Sequence, residues 1–567
     1  MDLIKKENIK VMLVRPPQLF YHGTWPQGPR LSIPIGLLSL GSYLDDHGVD
    51  VDIYDCFVEW DNVYAENDSP IVDQWMSAHE NYSAIKNNEK EVDSKKLGHF
   101  GASWEQFSDA VRERSPDIIG ITNLFRENTS ETLEAARIVK SIMPNSCIVI
   151  GGPNATANYE YMLNKCKEID IVAIGDGEQT LMDIIQLHEG KIDINSVKDI
   201  SYLSSGKLVC TDRKVLVNDL DTLGDLNYDL IKLERYHKYE SEGVMSRNKF
   251  SYFGSERAVS LCLSRGCPYK CVFCSVHVHA GRKFRTYSVE HALNHIENLV
   301  KNYGVKHIHF EDDNLTLDKK RFMRLMNEIV NRKLIFTWDT PNGVFANTID
   351  MDMLKLMKKT GCTYLILGVE SGDQWVLDNI IKKQPLRLDI VINVFQMAKK
   401  VGIDMQAFYI IGFPGETKAL IQKTLDFAID GLKKYDVIPH IAIARADPGT
   451  ELFKDASDNG LLVENYSITN ASGVHADMFS RHLITTDQFS PEYLERVNTS
   501  AHKKAIITIG LHTFLFLIKH PGILYSTIRH MVYDSKKLKL KESIVKIFFT
   551  RLFYKNSMVK YSKLLKR

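Results

Sequence analysis

The sequence lacks an excess of charge of either sign. Its 567 residues contain 71 Lys and Arg and 71 Asp and Glu, so the formal net charge at pH 7 is zero. This balance gives no global electrostatic reason to expect nucleic acid as a partner. No apolar run reaches the ~20 residues that a membrane-spanning helix needs, and Met1 to Glu7 lack the apolar core of a signal peptide. We therefore expect a cytoplasmic protein.

Cysteine is sparse, and a common cofactor motif is missing. The count of nine is odd, and six cysteines are scattered in mostly apolar contexts, as expected of reduced thiols: Cys56, Cys147, Cys166, Cys210, Cys262 and Cys362. No G-x-G-x-x-G occurs, so a nicotinamide cofactor is not indicated. The length exceeds that of one hydrophobic core, and we expect two or three domains.

The other three cysteines share one short segment. Cys267, Cys271 and Cys274 have the spacing C-x3-C-x2-C. The preceding residues 258–263 are apolar and partly β-branched, which predicts a buried strand, and Gly266 then favours a loop. Three thiolates on such a loop can hold three irons of a four-iron cluster and leave the fourth iron open to a substrate.

A structural zinc site is the alternative for this loop. It would need a fourth ligand, and His277 and His279 are near, but the spacing is not usual for zinc. The loop resembles the signature of the radical S-adenosylmethionine (radical-SAM) superfamily, including Phe273 before the last cysteine. The resemblance implies that S-adenosylmethionine chelates the open iron and is cleaved to a 5′-deoxyadenosyl radical. It also implies an electron donor such as flavodoxin or ferredoxin.

The first 190 residues alternate between apolar strands and helices. This pattern predicts a doubly wound, Rossmann-like parallel sheet. The predicted strands are 9–16, 49–55, 116–122, 147–153 and 169–175, with helices at 34–44, 130–143 and 178–188. Residues 57–105 are polar and interrupt the pattern, so we expect a helical insertion there.

Most of these strands end in small or polar residues. Ligands of open α/β sheets bind at this edge, and glycine lets a ligand approach the backbone closely. The region resembles the cobalamin-binding domain that precedes many radical-SAM barrels, notably at 34–38, 151–156 and 175–181. The resemblance implies cobalamin at this edge, with these candidate residues: Thr122, Gly151, Gly152, Pro153, Gly175, Gly177 and Glu178.

One cobalamin motif is absent. Residues 55–60 contain no histidine, so the D-x-H-x-x-G motif, whose histidine ligates cobalt from below, is missing. This departure fits the radical-SAM subgroup that binds cobalamin without a lower histidine. It fits equally a domain that has lost cobalamin and keeps only the fold.

From residue 259 onward, six βα units are predicted. The strands are 259–264, 306–311, 334–339, 363–369, 404–411 and 437–444, and the helices are 289–302, 318–331, 351–359, 386–400 and 416–433. Six parallel units predict a partial (βα)6 barrel that is open at one side. The chemistry of such a barrel lies at the carboxyl ends of its strands.

The residues after these strands include several carboxylates. The resemblance implies that Asp312 contacts the amino group of S-adenosylmethionine and that Glu370 and Ser371 contact its ribose, together with Phe273. For Asp313 and Glu416, we expect caps of the following helices instead.

The segment from Arg282 to Ser288 is predicted to be a lid over the cluster. Its arginines would steady a carboxylate or phosphate, or face solvent.

The C-terminal region is expected to be helical and to select the substrate. Residues 493–517 predict a helix. The tail 536–567 holds eleven Lys and Arg, interleaved with apolar and aromatic residues, and one acidic residue, Glu542. A basic amphipathic helix can lie on an anionic membrane face, so we expect peripheral contact with the inner membrane face. The alternative is a helix packed on the barrel with a solvated basic side.

We expect four regions: a cobalamin-binding domain (1–195), a connector (196–250), a radical-SAM barrel (251–460) and a helical C-terminal region (461–567). The resemblance implies an enzyme with a 4Fe-4S cluster, S-adenosylmethionine and cobalamin. It most favours a methyltransferase that activates an unactivated carbon with the 5′-deoxyadenosyl radical and methylates it from methylcobalamin. The substrate would be a small or lipid-like molecule.

Two alternatives stay open for the function. One is a cobalamin-dependent radical cyclase or rearrangement enzyme without net methyl transfer. The other is a non-catalytic cobalamin or iron–sulfur sensor, which gains nothing from a vacant iron. The sequence assigns no catalytic residue beyond these cofactor contacts.

Overall fold

Two β-sheets organise the chain; the first is mostly parallel and the second is fully parallel. The computed structural model describes residues 8–21, 32–59, 97–212, 216–241, 257–462 and 484–519. The predicted basic tail and residues 60–96 of the predicted insertion lie outside these ranges.

The first sheet is built from the N-terminal half of the chain. Its strands are β1 (Lys10–Arg15), β3 (Asp50–Asp55), β5 (Ile118–Thr122), β6 (Cys147–Gly151), β7 (Ile171–Ala173), β8 (Ile200–Ser204) and β9 (Lys207–Cys210). They lie in the order β3-β1-β5-β6-β7-β8-β9, with β8 and β9 antiparallel. The β8–β9 hairpin lies within the predicted connector 196–250, and it continues this sheet.

Helices cover both faces of the first sheet. Alternate residues of β1 enter different cores, with Leu13 in one and Met12 in the other, because successive side chains of a strand point to opposite faces. Buried residues of helices Ile35–Asp46 and Glu178–His188 join the first core, and those of Trp104–Arg114, Thr129–Ile142 and Pro153–Lys165 join the second. The predicted doubly wound arrangement is confirmed.

Two short elements near residue 100 were not predicted. Strand β4 (Leu97–Phe100) pairs with β2 (Gln18–Tyr21). The helix Trp104–Arg114 begins with a capping box in which Ser103 and Gln106 bond each other's backbone N–H.

The second sheet has six parallel strands. They are β10 (Ala258–Leu261), β13 (His307–Phe310), β14 (Thr337–Asp339), β15 (Cys362–Glu370), β16 (Asp404–Ile411) and β17 (Ile438–Ile443), paired in chain order. The helices Val289–Lys301, Lys319–Asn331, Met351–Lys359, Leu388–Val401 and Lys418–Tyr435 cover them. The predicted six βα units are all present.

One further strand pair and several further helices complete the described chain. Strands β11 (Ser264–Arg265) and β12 (Arg285–Thr286) form a small antiparallel pair. The remaining α-helices are Leu233–Ser241, Val276–His279, Glu451–Asp458 and Pro491–Lys519. Of the helices in the described ranges, none is long and apolar enough to cross a bilayer.

Candidate active site

The cysteine loop follows β10 and is enclosed by the β11–β12 pair. Gly266 has φ +85°, and a Cβ at this position would lie 2.4 Å from the carbonyl oxygen of Lys283. Only glycine fits this backbone conformation and this space. The Gly266 N–H donates a hydrogen bond to Asp313 Oδ2 at 3.1 Å. The loop is thereby fixed to the carboxyl end of β13.

All three thiols of the loop are half-buried. The pKa of Cys274 is raised to about 12, mainly by burial and in smaller part by the neighbouring Cys271 and Cys267. Burial also raises the pKa of Cys271, and the ammonium of Lys383 partly offsets this. Three thiols in this setting become thiolates when a positively charged group binds them. The donor set therefore fits an iron–sulfur cluster.

Asp312 supports the turn that leads into the loop. Its carboxylate accepts hydrogen bonds from the Leu263 N–H, at 3.1 and 3.2 Å, and from the Ser264 hydroxyl. Burial raises its pKa to about 6, although these bonds act in the opposite direction. Its contact with S-adenosylmethionine stays a prediction.

The two predicted helix caps are wrong. Asp318 caps Lys319–Asn331 by accepting from the Arg321 N–H at 2.9 Å, whereas Asp313 bonds the cysteine loop. Thr417 caps Lys418–Tyr435, whereas Glu416 Oε2 accepts from the N–H groups of Gly412 (2.7 Å) and Phe413 (2.9 Å). In both cases the carboxylate holds a loop at a strand end, and the residue that begins the helix is a neighbouring Asp or Thr.

Glu370 and Ser371 lie where β15 ends. Glu370 has φ +71°, and its Oε1 accepts a hydrogen bond from Lys383 Nζ at 2.7 Å. Both side chains of this ion pair are buried. The Ser371 hydroxyl bonds Thr424 Oγ1 at 2.9 Å, which ties the strand end to Lys418–Tyr435. The sequence analysis missed Lys383, because no periodic pattern marks residues 381–387. The predicted ribose contacts stay a prediction.

Phe273 lies next to the loop that Glu416 holds. Its ring centroid is 6.0 Å from that of Phe413. The cysteine loop and the loop after β16 are thus neighbours at the barrel mouth. The predicted S-adenosylmethionine contact of Phe273 is untested.

Six of the seven predicted cobalamin residues line one edge of the first sheet. Thr122 and Gly151 end paired strands, and Pro153 begins a helix. Gly152 has φ +107°, and a Cβ there would lie 2.8 Å from the Asn123 carbonyl oxygen. Gly151 instead has open space, since the nearest atom to its Cβ position is 3.9 Å away. The loop containing Gly175 and Gly177 follows β7, so it shares this edge.

Glu178, the seventh predicted cobalamin residue, makes contacts across the two domains. Its side chain is 3% exposed, and its two oxygens accept hydrogen bonds from Arg265 at 2.7 and 3.2 Å and from the Ser39 hydroxyl at 2.7 Å. Its pKa falls to about 2: burial alone would raise it, but Arg265 outweighs burial. Because both oxygens are engaged, the Glu178 side chain joins the two domains, and its predicted contact with cobalamin stays a prediction.

The predicted lid is wrong for Arg285. Its side chain is fully buried and donates to Asp176, to the Val217 carbonyl oxygen at 2.7 Å and to the Ala280 carbonyl oxygen at 2.9 Å. Asp176 also accepts from Arg265 at 3.0 Å. One carboxylate of the first sheet edge therefore binds both arginines that flank the cysteine loop.

Two family models match parts of the chain. The radical SAM superfamily matches residues 261–428, and the B12 binding domain matches residues 88–185. An uncharacterised methyltransferase of Pyrococcus horikoshii is 33% identical over 365 residues, which cover 64% of this chain and 74% of that protein. The chain belongs to the radical-SAM superfamily and carries a B12 binding domain in front of its barrel, as predicted.

Other similar proteins have known reactions. A cytidylyl-2-hydroxyethylphosphonate methyltransferase of Streptomyces wedmorensis is 26% identical, covering 74% of this chain and 77% of that protein. An anaerobic magnesium-protoporphyrin IX monomethyl ester cyclase of Rubrivivax gelatinosus is 28% identical, and the match covers 58% of this chain and 57% of that protein. The fold is that of the radical-SAM methyltransferase TsrM from Kitasatospora setae. The two structures align with a TM-score of 0.61 and 14% sequence identity, and the alignment covers 88% of this chain and 89% of TsrM.

These findings confirm the predicted class and cofactors. The protein is a radical-SAM enzyme that uses a 4Fe-4S cluster, S-adenosylmethionine and cobalamin.

Proposed function

We propose that the enzyme transfers a methyl group from S-adenosylmethionine, by way of cobalamin, to an unactivated carbon of a small molecule. The observation that carries the proposal is the shared Asp176, which binds Arg265 and Arg285. It holds the carboxyl edge of the first sheet against the cysteine loop. Residues that would bind cobalamin and residues that would bind the cluster are thereby held close to one another.

The cofactors supply the difficult chemistry, namely radical formation and methyl transfer. The chain positions them. We propose that Cys267, Cys271 and Cys274 hold the cluster, with Phe273, Asp312, Glu370 and Ser371 at the S-adenosylmethionine site. At the cobalamin site we propose Thr122, Gly151, Gly152, Pro153, Gly175, Gly177 and Glu178. We also propose domain boundaries at residues 195, 250 and 460. The hairpin Ile200–Cys210 follows the first boundary in the chain but packs as part of the first sheet.

The two half-reactions can be tested without knowing the substrate. We expect the reduced holoenzyme with S-adenosylmethionine to release 5′-deoxyadenosine, and this release should be lost in the Cys267→Ala, Cys271→Ala, Cys274→Ala triple variant. The wild-type holoenzyme should also release S-adenosylhomocysteine, but only when cobalamin is bound. Formation of 5′-deoxyadenosine with no cobalamin-dependent S-adenosylhomocysteine would refute methyl transfer.

The second candidate is a cobalamin-dependent radical cyclase. The similarity to the anaerobic cyclase favours it, because the cluster and cobalamin motifs are common to both reactions. A cyclase would give 5′-deoxyadenosine without stoichiometric S-adenosylhomocysteine, so the same experiment separates the two. A non-catalytic sensor would give neither product.

We further propose that the C-terminal region contacts an anionic lipid surface and that the substrate is lipid-like. The helix Pro491–Lys519 packs on the barrel through Ala505 and Ile509, against Ile429 and Leu432. Its other side exposes a row of large apolar residues at helical spacing: Ile507 (64%), Leu511 (58%), Phe514 (61%), Leu515 (54%) and Ile518 (54%). In the sequence, the basic tail 536–567 follows this helix, and its eleven Lys and Arg would attract anionic headgroups.

The cluster also needs an external reductant. We propose a small electron carrier such as flavodoxin or ferredoxin. Reduction of the cluster by either carrier, followed by release of 5′-deoxyadenosine, would support this assignment.

A further inference from the structure

Two histidines and one aspartate form a buried cluster inside the barrel. His307 and His309 lie on β13, and Asp339 lies on β14, where it pairs with His309. Their side chains are 2%, 7% and 16% exposed. One ligand atom from each lies within 4.8 Å of the others. We call these three residues the interior triad.

The interior triad points into the barrel. On the same two strands, Phe310 and Trp338 stack edge to face with centroids 5.5 Å apart, and Trp338 also meets Phe322 of the helix Lys319–Asn331. These aromatic residues therefore face the helices. Since side chains alternate along a strand, the triad faces the opposite way, toward the barrel interior. It is separate from the cysteine loop, which lies beyond the strand ends.

One side-chain contact orients the imidazole of His307. Its Nδ1 lies 2.7 Å from Thr337 Oγ1, and that hydroxyl also lies 3.2 Å from the Lys306 carbonyl oxygen. His307 Nε2 then lies 3.4 Å from Asp339 Oδ2.

The pairing of His307 with Asp339 has the geometry of a metal-ligand pair. Among the described residues, no hydrogen bond of good geometry reaches the buried His307 Nε2. An imidazole nitrogen beside a carboxylate is a ligand arrangement for a metal ion, and a hydrogen bond to the other ring nitrogen orients such a histidine.

The spacing suits a tetrahedral ion. Two ligands each about 2.1 Å from zinc, at the tetrahedral angle, lie roughly 3.4 Å apart. This matches the 3.4 Å between His307 Nε2 and Asp339 Oδ2. With His309 as the third ligand, the donor set of two imidazoles and one carboxylate is typical of zinc or non-haem iron sites that keep a position open.

We propose that the interior triad binds one divalent transition-metal ion of the zinc class, with an open position toward the barrel interior. The ion is additional to the irons of the cluster. This proposal goes beyond the proposed function and does not depend on it.

Zinc binding to the full-length protein tests the site. The triple variant Cys267→Ala, Cys271→Ala, Cys274→Ala removes the thiols that would otherwise bind zinc, and cobalamin binding checks its fold. Calorimetry with Zn²⁺ alone should give about one ion per chain. Adding His307→Gln or Asp339→Asn to this background should weaken zinc binding at least about tenfold, since each removes one of three ligands.

A matched control is His295→Gln. His295 is also a buried histidine, bonded to the Tyr228 hydroxyl at 3.2 Å, and its replacement should leave zinc binding unchanged. Two results would overturn the proposal. One is zinc binding of equal affinity in the His307→Gln and Asp339→Asn variants. The other is no zinc binding by the parent, which would make the triad a hydrogen-bonded network only.

Discussion

Arg265 donates two hydrogen bonds to Glu178 across the contact between the two domains, at 2.7 and 3.2 Å. Arg265 precedes the first cluster cysteine by two residues, and Glu178 begins the helix after the candidate cobalamin loop. We predict that Arg265→Met destabilises the protein by about 3–5 kcal/mol, because it leaves Glu178 buried and unpaired. Anaerobic denaturation of the reconstituted enzyme would measure this loss.

Two further variants test the cause of that loss. The double variant Arg265→Met, Glu178→Met should recover part of the stability, since no unpaired carboxylate remains at position 178. Arg282→Met is a matched control, because Arg282 is exposed and donates one hydrogen bond to the Tyr269 carbonyl oxygen. A loss in Arg282→Met as large as that in Arg265→Met would contradict the prediction.

Gly151→Leu should block cobalamin binding while the fold is kept. The nearest atom to a Cβ at Gly151 is 3.9 Å away, so the new side chain projects into the space proposed for the cofactor. We expect affinity for hydroxocobalamin to fall about tenfold or more, which corresponds to ~1.4 kcal/mol. Lys207→Leu, on the exposed β9 of the same sheet, should bind normally. Unchanged binding by Gly151→Leu would place cobalamin elsewhere.

The buried carboxyl of Glu416 should make stability depend on pH. Burial raises its pKa to about 7 from an ordinary value of 4.5, although the N–H groups of Phe413 and Gly412 lower it. The folded state therefore holds this proton over a range where the unfolded state loses it, so stability falls as pH rises from about 4.5 to about 7. Glu416→Gln should be more stable than wild type at pH 8 by about 1–3 kcal/mol.

The advantage of Glu416→Gln should shrink toward pH 5, where the wild-type carboxyl is protonated in the folded state. Unfolding measured at both pH values checks this. The exposed Glu160→Gln serves as control and should show no such difference. An advantage of the same size at both pH values would show that ionisation of Glu416 is not the cause.

Membrane contact should depend on both charge and the exposed apolar row. Truncation after Ser535 removes eleven Lys and Arg, each of which contributes about 1 kcal/mol near an anionic surface. Flotation with anionic liposomes should fall on truncation and with added salt. Phe514→Gln should weaken the binding that persists at high salt. Equal flotation of the full-length and truncated proteins would refute lipid contact.

Much of the fold could be predicted because it is local. The strand Asp404–Ile411 has the predicted bounds, since a buried parallel strand is a continuous apolar run that a loop ends. The ion pairs could not be predicted. Arg265 and Glu178 are 87 residues apart, and Lys383 lies outside any periodic segment. The helix caps could not be predicted for another reason. Several Asp, Glu and Thr residues near each helix start can accept the capping hydrogen bond, and only the backbone conformation selects one of them.

The carboxylate of Asp176, shared by Arg265 and Arg285, has a consequence for how a substrate enters. Separating the two domains would place two cations and two carboxylates in water in one step, with Glu178 as the second carboxylate. Such a step is cooperative. When the contact with one arginine breaks, Asp176 is only partly exposed to water, because the other arginine still binds it. Substrate exchange should therefore proceed with the domains together, and the spacing between the two cofactors should stay constant throughout turnover.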